Sequence, residues 1–278
     1  MPRKHSLPRK EIIRRFPRKH KFINNVHKQR RTKLPNILQM INSALHYTDL
    51  LHQIQNISQR DCKRIEMRTR GQARNNDWFF YRQGIITATL SYRISRAIKA
   101  GKGRSVDINC AISKTYNVQL HYPAIVWGRE NEKKGITAAI SKLKLQHHNV
   151  NVKDAGLRLD TTHRFIGGSV DAIMHCSCCK IPKILEIKCP YSIKDGTVEK
   201  DGHKLTYLDD KLKLKKTHPY YYQIQTYLGI YQYQEAYLGV WTPNDIYITK
   251  ITFDTEFWIN LKNDLYSYYV DNYLSYIL

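Results

Sequence analysis

Two short segments rich in β-branched and other apolar residues, 165–174 and 183–189, constrain the fold more than any other part of the sequence. Each is bounded by Gly, Pro or other turn-forming residues, a pattern typical of strands. Asp171 lies in the first segment, and Glu186 follows it by fifteen residues in the second. If the two segments pair as a hairpin, these carboxylates come to lie side by side. Because side chains alternate along a strand, Lys188 shares a face with Glu186.

This arrangement of charges suits the hydrolysis of phosphodiester bonds. Two carboxylates with an intervening backbone carbonyl form an all-oxygen site of the kind that Mg²⁺ or Mn²⁺ prefers. A lysine beside such an ion can hold the attacking water, whose pKa the ion lowers. A Glu-x-Lys pattern alone is also typical of a solvated strand face, so the hypothesis depends on the segments around it.

The remaining apolar pattern predicts an α/β fold. Apolar residues recur at helical spacing in six segments, which are residues 36–55, 61–70, 87–100, 123–145, 218–233 and the stretch from about 255 onward. Three further β-rich segments predict strands, at residues 150–159, 236–242 and 246–253. This alternation predicts a sheet flanked by helices.

The charge of the chain indicates the class of its partner. The formal net charge is +23 over 278 residues, which favours a polyanion, nucleic acid before membrane. No apolar run is long enough to span a bilayer. The first 33 residues hold thirteen Lys or Arg against one acid, Glu11. We expect a basic arm that contacts nucleic acid or directs nuclear import, with a passive solvated tail as the alternative.

Four stretches follow one another in an order that is far more specific than any one motif. They are RQGIITAT at 82–89, WGRENE at 127–132, SVD at 169–171 with LEIKCP at 185–190, and LKLKK at 212–216 leading to HPYYYQIQ at 218–225. In these stretches, over roughly residues 78–242, the chain resembles the bacteriophage lambda exonuclease and YqaJ-like viral recombinase family of PD-(D/E)XK nucleases. Val170 stands where the family has Pro, Ala172 where it has Gly and Thr89 where it has Ser. None of these departures removes an expected metal ligand.

The resemblance implies a role for each matching residue around the carboxylates. Asp171 and Glu186 would hold Mg²⁺ or Mn²⁺ together with the backbone carbonyl of Ile187. Glu132 would reach the same ion, directly or through water, with Glu130 as the competing carboxylate. Lys188 would orient and activate the nucleophilic water. We therefore expect the chain to be catalytically active.

A second group of residues would hold the substrate. Arg82 and Thr89 would grip a phosphate, in the family the terminal phosphate at the 5′ end. A helix starting near Thr87 would offer free N–H groups to the same anion. Gln225 would position the nucleophile or the scissile phosphate. Three lysines before the Gln-bearing helix would follow the phosphate backbone, with a solvated loop as an equal alternative; they are Lys213, Lys215 and Lys216.

The resemblance also implies a fold and an activity. The fold would be the restriction-endonuclease-like core, a central mixed sheet flanked by helices. We divide the chain into a flexible basic arm at 1–35, a helical N-terminal extension at 36–75 and a YqaJ-like exonuclease domain at 76–278. The expected activity is metal-dependent 5′-to-3′ degradation of duplex DNA in recombination or replication. A restriction-like endonuclease, a non-catalytic DNA-binding protein and, more weakly, an RNA-processing enzyme remain as alternatives.

The same family implies partners and a compartment. Its members form rings that encircle DNA, which implies a homotrimer, although no segment of this sequence identifies a subunit interface. A single-strand annealing protein would be a partner. The N-terminus lacks the apolar stretch of a secretory signal, which predicts an intracellular and, from the basic arm, nuclear location.

One cluster of cysteines has a spacing that zinc sites use. Cys176 and Cys179 form a Cys-x-x-Cys pair between the two catalytic segments. Structural zinc sites usually combine two such pairs, and no second close pair follows. We therefore expect reduced thiols at a hairpin tip rather than a zinc ion.

Overall fold

The computed structural model describes residues 33–114 and 121–278. The basic arm expected at 1–35 lies almost entirely outside the described residues, so its role and the proposed domain boundaries stay predictions. None of the described helices is both long and apolar enough to cross a membrane.

The first helical segment is divided where the sequence predicts one continuous helix. Helix α1 spans Ile37–Ser43 and α2 spans Tyr47–Gln55, and Ala44 between them is extended. Leu45, which helical spacing assigns to the apolar side, is 77% exposed in this turn, whereas Leu50 in α2 is fully buried. The turn therefore orients the apolar sides of two short helices separately toward the core.

The other helices mostly follow the predicted segments. They are α3 Gln59–Arg68, α4 Asn76–Tyr81, α5 Ser91–Lys99, α6 Val106–Ile112, α7 Pro123–Leu143, α8 Val198–Asp201, α9 Pro219–Tyr231, α10 Thr255–Tyr268 and α11 Leu274–Ile277. Single 3-10 turns occupy 72–74, 88–90, 191–193 and 202–204, and a π-helical turn at 269–273 joins α10 to α11. The sequence did not predict α4, α6 and α8, because helices of four to seven residues are too short for helical periodicity to show.

The central sheet has five strands in the order β2-β5-β6-β7-β8. These strands are β2 Asn151–Lys153, β5 Ala172–His175, β6 Lys183–Lys188, β7 Glu235–Trp241 and β8 Ile246–Thr252. All neighbouring pairs are antiparallel except β6 and β7, which run parallel. The prediction of a mixed sheet flanked by helices is confirmed.

Helices cover both faces of this sheet, and strand β6 contributes side chains to both. Leu185 and Ile187 pack on the α7 side, in a cluster with Ala139 of that helix. Ile184 packs into the larger core on the other side, which contains α9. Glu186 shares the face of Ile184, because it lies two residues further along the strand.

A smaller sheet of three strands, in the order β1-β4-β3, lies beside the central one. Its strands are β1 Ile86–Thr87, β3 Arg158–Leu159 and β4 Ile166–Gly168. Two segments predicted as single strands, 150–159 and 165–174, each cross from one sheet to the other. The predictions of one continuous strand for each were therefore wrong. Apolar patterning continues through the crossing because residues such as Ala155, Leu157 and Val170 are buried there.

Candidate active site

The carboxylates of Asp171 and Glu186 lie next to each other across the β5–β6 pair. Ala172 pairs with Leu185 in this antiparallel ladder, which puts Asp171 opposite Glu186. Oδ2 of Asp171 accepts a hydrogen bond from the backbone N–H of Ile187 at 2.7 Å. This bond fixes the Asp171 carboxylate beside β6.

Lys188 completes this charged group. Its Nζ donates to Oε1 of Glu186 at 2.7 Å and lies 4.6 Å from the centre of the Tyr220 ring. Burial alone would lower the pKa of Lys188, but the neighbouring carboxylates of Glu186 and Asp171 raise it above its ordinary value. The lysine therefore stays an ammonium ion at neutral pH. Alternation along β6 places it on the face that the sequence predicts.

A third carboxylate approaches from helix α7. Burial, and then the charge of Glu186, raise the pKa of Glu132 above its ordinary value. The pKa of Asp171 is raised well above its ordinary value, first by burial and then by Glu186, although Lys188 opposes the shift. Three acidic groups thus converge on one ammonium ion, and their mutual repulsion favours binding of a further positive charge.

The donor set fits a divalent cation of the magnesium type. Oε2 of Glu186 is buried and has no hydrogen-bond partner among the described residues, whereas its Oε1 accepts two. A buried carboxylate oxygen without a partner is costly unless something binds it. Asp171, Glu132 and the carbonyl of Ile187 would supply further oxygen ligands to the same ion.

The predicted phosphate-binding residues share a cavity with the carboxylates. A cavity of about 230 Å³ is lined by Asp171, Glu186 and Lys188. Three predicted phosphate ligands, Arg82, Thr87 and Thr89, line the same cavity. The hydroxyls of the two threonines lie 2.9 Å apart, where β1 meets the 3-10 turn at 88–90. A ligand in this cavity would therefore contact both groups.

Arg82 lines the cavity as a cation stacked on an aromatic ring. Its guanidinium stacks 3.8 Å from the centre of the Trp78 ring, and the indole N–H of Trp78 donates to the Ser169 hydroxyl at 2.8 Å. Burial lowers the pKa of Arg82 to about 10. No carboxylate among residues 33–114 and 121–278 forms an ion pair with it. A stacked guanidinium keeps its five donors in one plane, which suits two oxygens of a phosphate.

The structure corrects the prediction for Gln225. The side chain of Gln225 donates to the carbonyl of Thr252 and accepts from the N–H of Asp254, on the side of α9 away from the carboxylates. Gln223 lines the cavity instead, and its amide donates to Oε1 of Glu186 at 3.0 Å. Residues two positions apart in a helix lie on nearly opposite sides of its axis, so Gln223 and Gln225 face different parts of the protein.

The three lysines predicted to follow the phosphate backbone of DNA do not line this cavity. Lys215 donates to the carbonyl of Thr206, and Lys216 pairs with Asp254 at 2.9 Å. Lys213 and Lys216 line a separate open cavity of about 510 Å³. All three are exposed on the segment before α9, so their contact with phosphates stays a prediction.

Comparisons with known proteins agree with this fold. A family model described as viral alkaline exonuclease matches residues 10–194, about two thirds of the chain. This match includes Arg82, Glu132, Asp171, Glu186 and Lys188, whereas Gln223 follows it. No curated protein matches.

Several solved structures share this fold. The alkaline exonuclease LHK-Exo of Laribacter hongkongensis has a TM-score of 0.53 at 18% identity, covering 70% of this chain and 91% of that one. A SOX–DNA complex has a TM-score of 0.52 at 11% identity, covering 84% and 77%. The shutoff and exonuclease protein of Kaposi's sarcoma-associated herpesvirus has a TM-score of 0.52 at 11% identity, covering 76% and 71%. At these identities the likeness shows the fold, and the prediction of a PD-(D/E)XK core is confirmed.

Proposed function

The chain belongs to the viral alkaline exonuclease family, as its resemblance to the lambda exonuclease group predicts, and we propose that it hydrolyses phosphodiester bonds of DNA with the help of a divalent cation. The observation that carries this proposal is the shared cavity, which Asp171, Glu186 and Lys188 line together with Arg82. Hydrolytic groups and a phosphate-binding cation within one small space are what cleavage close to a DNA end requires.

Asp171 and Glu186 are the proposed ligands of Mg²⁺ or Mn²⁺, with Glu132 and the Ile187 carbonyl beside them. When bound, such an ion supplies an activated water and neutralises charge that develops on the phosphate. The raised pKa values of Asp171 and Glu132 indicate that protons and metal ions compete for these oxygens. Metal binding is therefore expected to strengthen as the pH rises.

Lys188 is the proposed residue that orients the attacking water. Its ammonium group is fixed by Glu186 at 2.7 Å and still faces the cavity. A positive group at this position holds a water oxygen through a hydrogen bond and stabilises negative charge on it. Gln223, through its bond to Glu186, keeps that carboxylate in one orientation.

Arg82, Thr87 and Thr89 are the proposed site for the terminal phosphate. A site for one terminal phosphate next to the hydrolytic group favours an exonuclease that starts at an end, in agreement with the family, and the family resemblance supports a 5′ start. DNA as the substrate is supported by the SOX–DNA complex among the structural neighbours and by the net charge of +23. An RNA complex of SOX with a TM-score of 0.51 makes RNA a second candidate.

The proposal is tested with purified protein on end-labelled linear duplex DNA, closed circular DNA and an RNA of the same sequence. We expect release of label from linear DNA only when Mg²⁺ is added, with circles left intact. Glu186→Gln should abolish release, and Lys188→Ala should slow it by about 100-fold or more. The exposed residues Glu199 and Lys200 on α8 offer matched controls, Glu199→Gln and Lys200→Ala.

Each alternative function predicts a different result in this assay. A restriction-like endonuclease would convert circles to linear DNA at a comparable rate. A non-catalytic DNA-binding protein would shift the mobility of DNA without releasing label under any metal condition. Either result would overturn the exonuclease proposal. Faster cleavage of RNA than of DNA would show that RNA is the preferred substrate.

A further inference from the structure

One histidine and three cysteines converge at the end of the β5–β6 hairpin away from the carboxylates. His147 lies just after α7, and Cys176, Cys178 and Cys179 lie in the turn between β5 and β6. One potential ligand atom from each residue lies within 4.8 Å of the others. The sequence alone did not suggest this set, because His147 precedes the cysteines by about thirty residues.

The separations match the edges of a small tetrahedron. Nδ1 of His147 lies 3.3 Å from Sγ of Cys178, 3.5 Å from Sγ of Cys176 and 3.6 Å from Sγ of Cys179. The sulfurs of Cys176 and Cys178 are 3.5 Å apart. Tetrahedral zinc with Zn–S bonds of about 2.3 Å and Zn–N bonds of about 2.0 Å has ligand–ligand edges of roughly 3.5–3.8 Å. All three thiols are free, so no disulfide accounts for their approach.

Neighbouring hydrogen bonds hold the two segments together independently of the thiols. Nε2 of His147 lies 2.8 Å from the hydroxyl of Tyr237 on β7. The N–H of Ser177 donates to the carbonyl of His148 at 2.9 Å, and the side-chain amide of Asn149 donates to the Ser177 hydroxyl at 3.3 Å. A partner on Nε2 orients the imidazole and leaves Nδ1 as the free ligand, as in known metal sites.

We propose that this chain binds a structural zinc ion through Nδ1 of His147 and the thiolates of Cys176, Cys178 and Cys179. Three sulfurs and one imidazole nitrogen are a set that zinc prefers over magnesium. Four protein ligands close the coordination sphere, so this ion would stabilise the structure and take no part in hydrolysis. The proposal replaces the expectation of unliganded thiols, which considered Cys176 and Cys179 alone.

The position of this site links two elements that carry active-site carboxylates. Helix α7 carries Glu132, and the β5–β6 hairpin carries Glu186 with Asp171 at its start. The zinc ligands join the C-terminal side of α7 to the turn of that hairpin. Zinc would therefore act as a positioning element for Glu132 relative to Glu186.

The test is the metal content and spectrum of the full chain, purified without chelators. We expect about one zinc ion per chain by mass spectrometry of the metal. Replacement by Co²⁺ should give the strong visible bands of tetrahedral cobalt together with a sulfur-to-cobalt charge-transfer band. Cys178→Ser should lose most of the zinc and the charge-transfer intensity, whereas Cys110→Ser, at an exposed cysteine on α6, should keep both. Glu186→Gln should also keep both, which separates this site from the proposed hydrolytic one.

Several outcomes would overturn the proposal. A wild-type chain that retains no zinc and gives an octahedral cobalt spectrum would do so, as would equal zinc in wild type and Cys178→Ser. Disulfides among these cysteines in freshly purified protein would also contradict it. Because the wild-type measurements need no variant, poor folding of Cys178→Ser would leave the test decisive.

Discussion

The side-chain amide of Gln223 donates to Oε1 of Glu186 at 3.0 Å and to the hydroxyl of Tyr227 at 2.7 Å. With Lys188 bound to the same Oε1, this bond fixes the orientation of the Glu186 carboxylate. The other oxygen, Oε2, is thereby left for a ligand from outside the described protein atoms. Gln223 thus acts on the site through Glu186 and is a positioning residue.

Replacing this glutamine should weaken metal use more than folding. We expect Gln223→Met, which keeps the volume and removes the amide, to lower activity at limiting Mg²⁺ by about 10–100-fold. The Mg²⁺ concentration for half-maximal rate should rise, and saturating Mg²⁺ should recover part of the activity. The measurement is a rate titration with Mg²⁺.

Gln225→Met is the matched comparison two residues further along α9. It removes bonds to Thr252 and Asp254, so it should lower Tm while leaving the Mg²⁺ dependence of the folded enzyme unchanged. If Gln225→Met shifted the Mg²⁺ titration and Gln223→Met did not, the placement of the two glutamines would be wrong.

Asp171 should destabilise the metal-free protein. Its pKa in the folded state is raised, first by burial, so ionising it costs folding free energy at pH values above the ordinary aspartate value of 3.8. We expect Asp171→Asn to raise the free energy of unfolding at pH 7, without divalent cations, by on the order of 1 kcal/mol. The advantage should shrink as the pH falls toward 3.8, because wild-type Asp171 then becomes neutral in both states.

Magnesium should make wild type more stable than Asp171→Asn, the reverse of the order expected without metal. The ion binds only the folded wild type, so it should raise the unfolding free energy of wild type and leave that of Asp171→Asn nearly unchanged. Urea titrations at several pH values, with and without Mg²⁺, measure both effects. Lower stability of Asp171→Asn at pH 7 without metal would contradict the raised pKa.

Arg82 should control the preference for phosphorylated ends. Arg82→Lys keeps the charge but loses the planar fork and the stacking on Trp78. A hydrogen bond to a charged group contributes about 1.5–3 kcal/mol, so we expect the rate ratio between 5′-phosphate and 5′-hydroxyl ends to fall roughly tenfold or more. Arg96→Lys, at an exposed arginine on α5, is the control. An unchanged ratio in Arg82→Lys would exclude Arg82 as the end-binding residue.

Close packing at Gly135 should position helix α7 and its Glu132. A Cβ at Gly135 would lie 2.5 Å from Cγ2 of Ile187 and 3.2 Å from Cβ of Trp241, so the helix would have to move away from β6. We expect Gly135→Ala to lower both Tm and activity. Gly128→Ala in the same helix meets no atom within 4 Å and should raise stability by about 0.5–1 kcal/mol. Thermal unfolding and nuclease rates of the two variants check this.

Strand alternation was the part of the site that the sequence could predict. A period of two leaves a single assignment for Glu186, Ile187 and Lys188 once β6 is recognised, and hairpin spacing then places Asp171. A helix offers no such restriction here, since Gln223 and Gln225 are both buried in α9, where nearly every residue is buried. Only the tertiary contacts of each glutamine distinguish them.

Features built from distant segments could not be predicted. His147 meets the cysteine turn only because α7 packs along β6 and ends beside that turn. The two crossings between sheets, after β2 and after β4, were hidden because buried residues continue the apolar pattern through them. Local periodicity reports burial, and it does not report which sheet a buried segment joins.

The segment from Ile166 to His175 serves both sheets, and only three residues separate its two strands. Gly167 is paired with Thr87, while Asp171, four residues later, lies opposite Glu186. In the proposed enzyme, binding of the DNA terminus and bond cleavage would therefore be mechanically coupled by one short length of backbone. A displacement of the small sheet when a DNA end binds would be transmitted directly to Asp171 through this backbone.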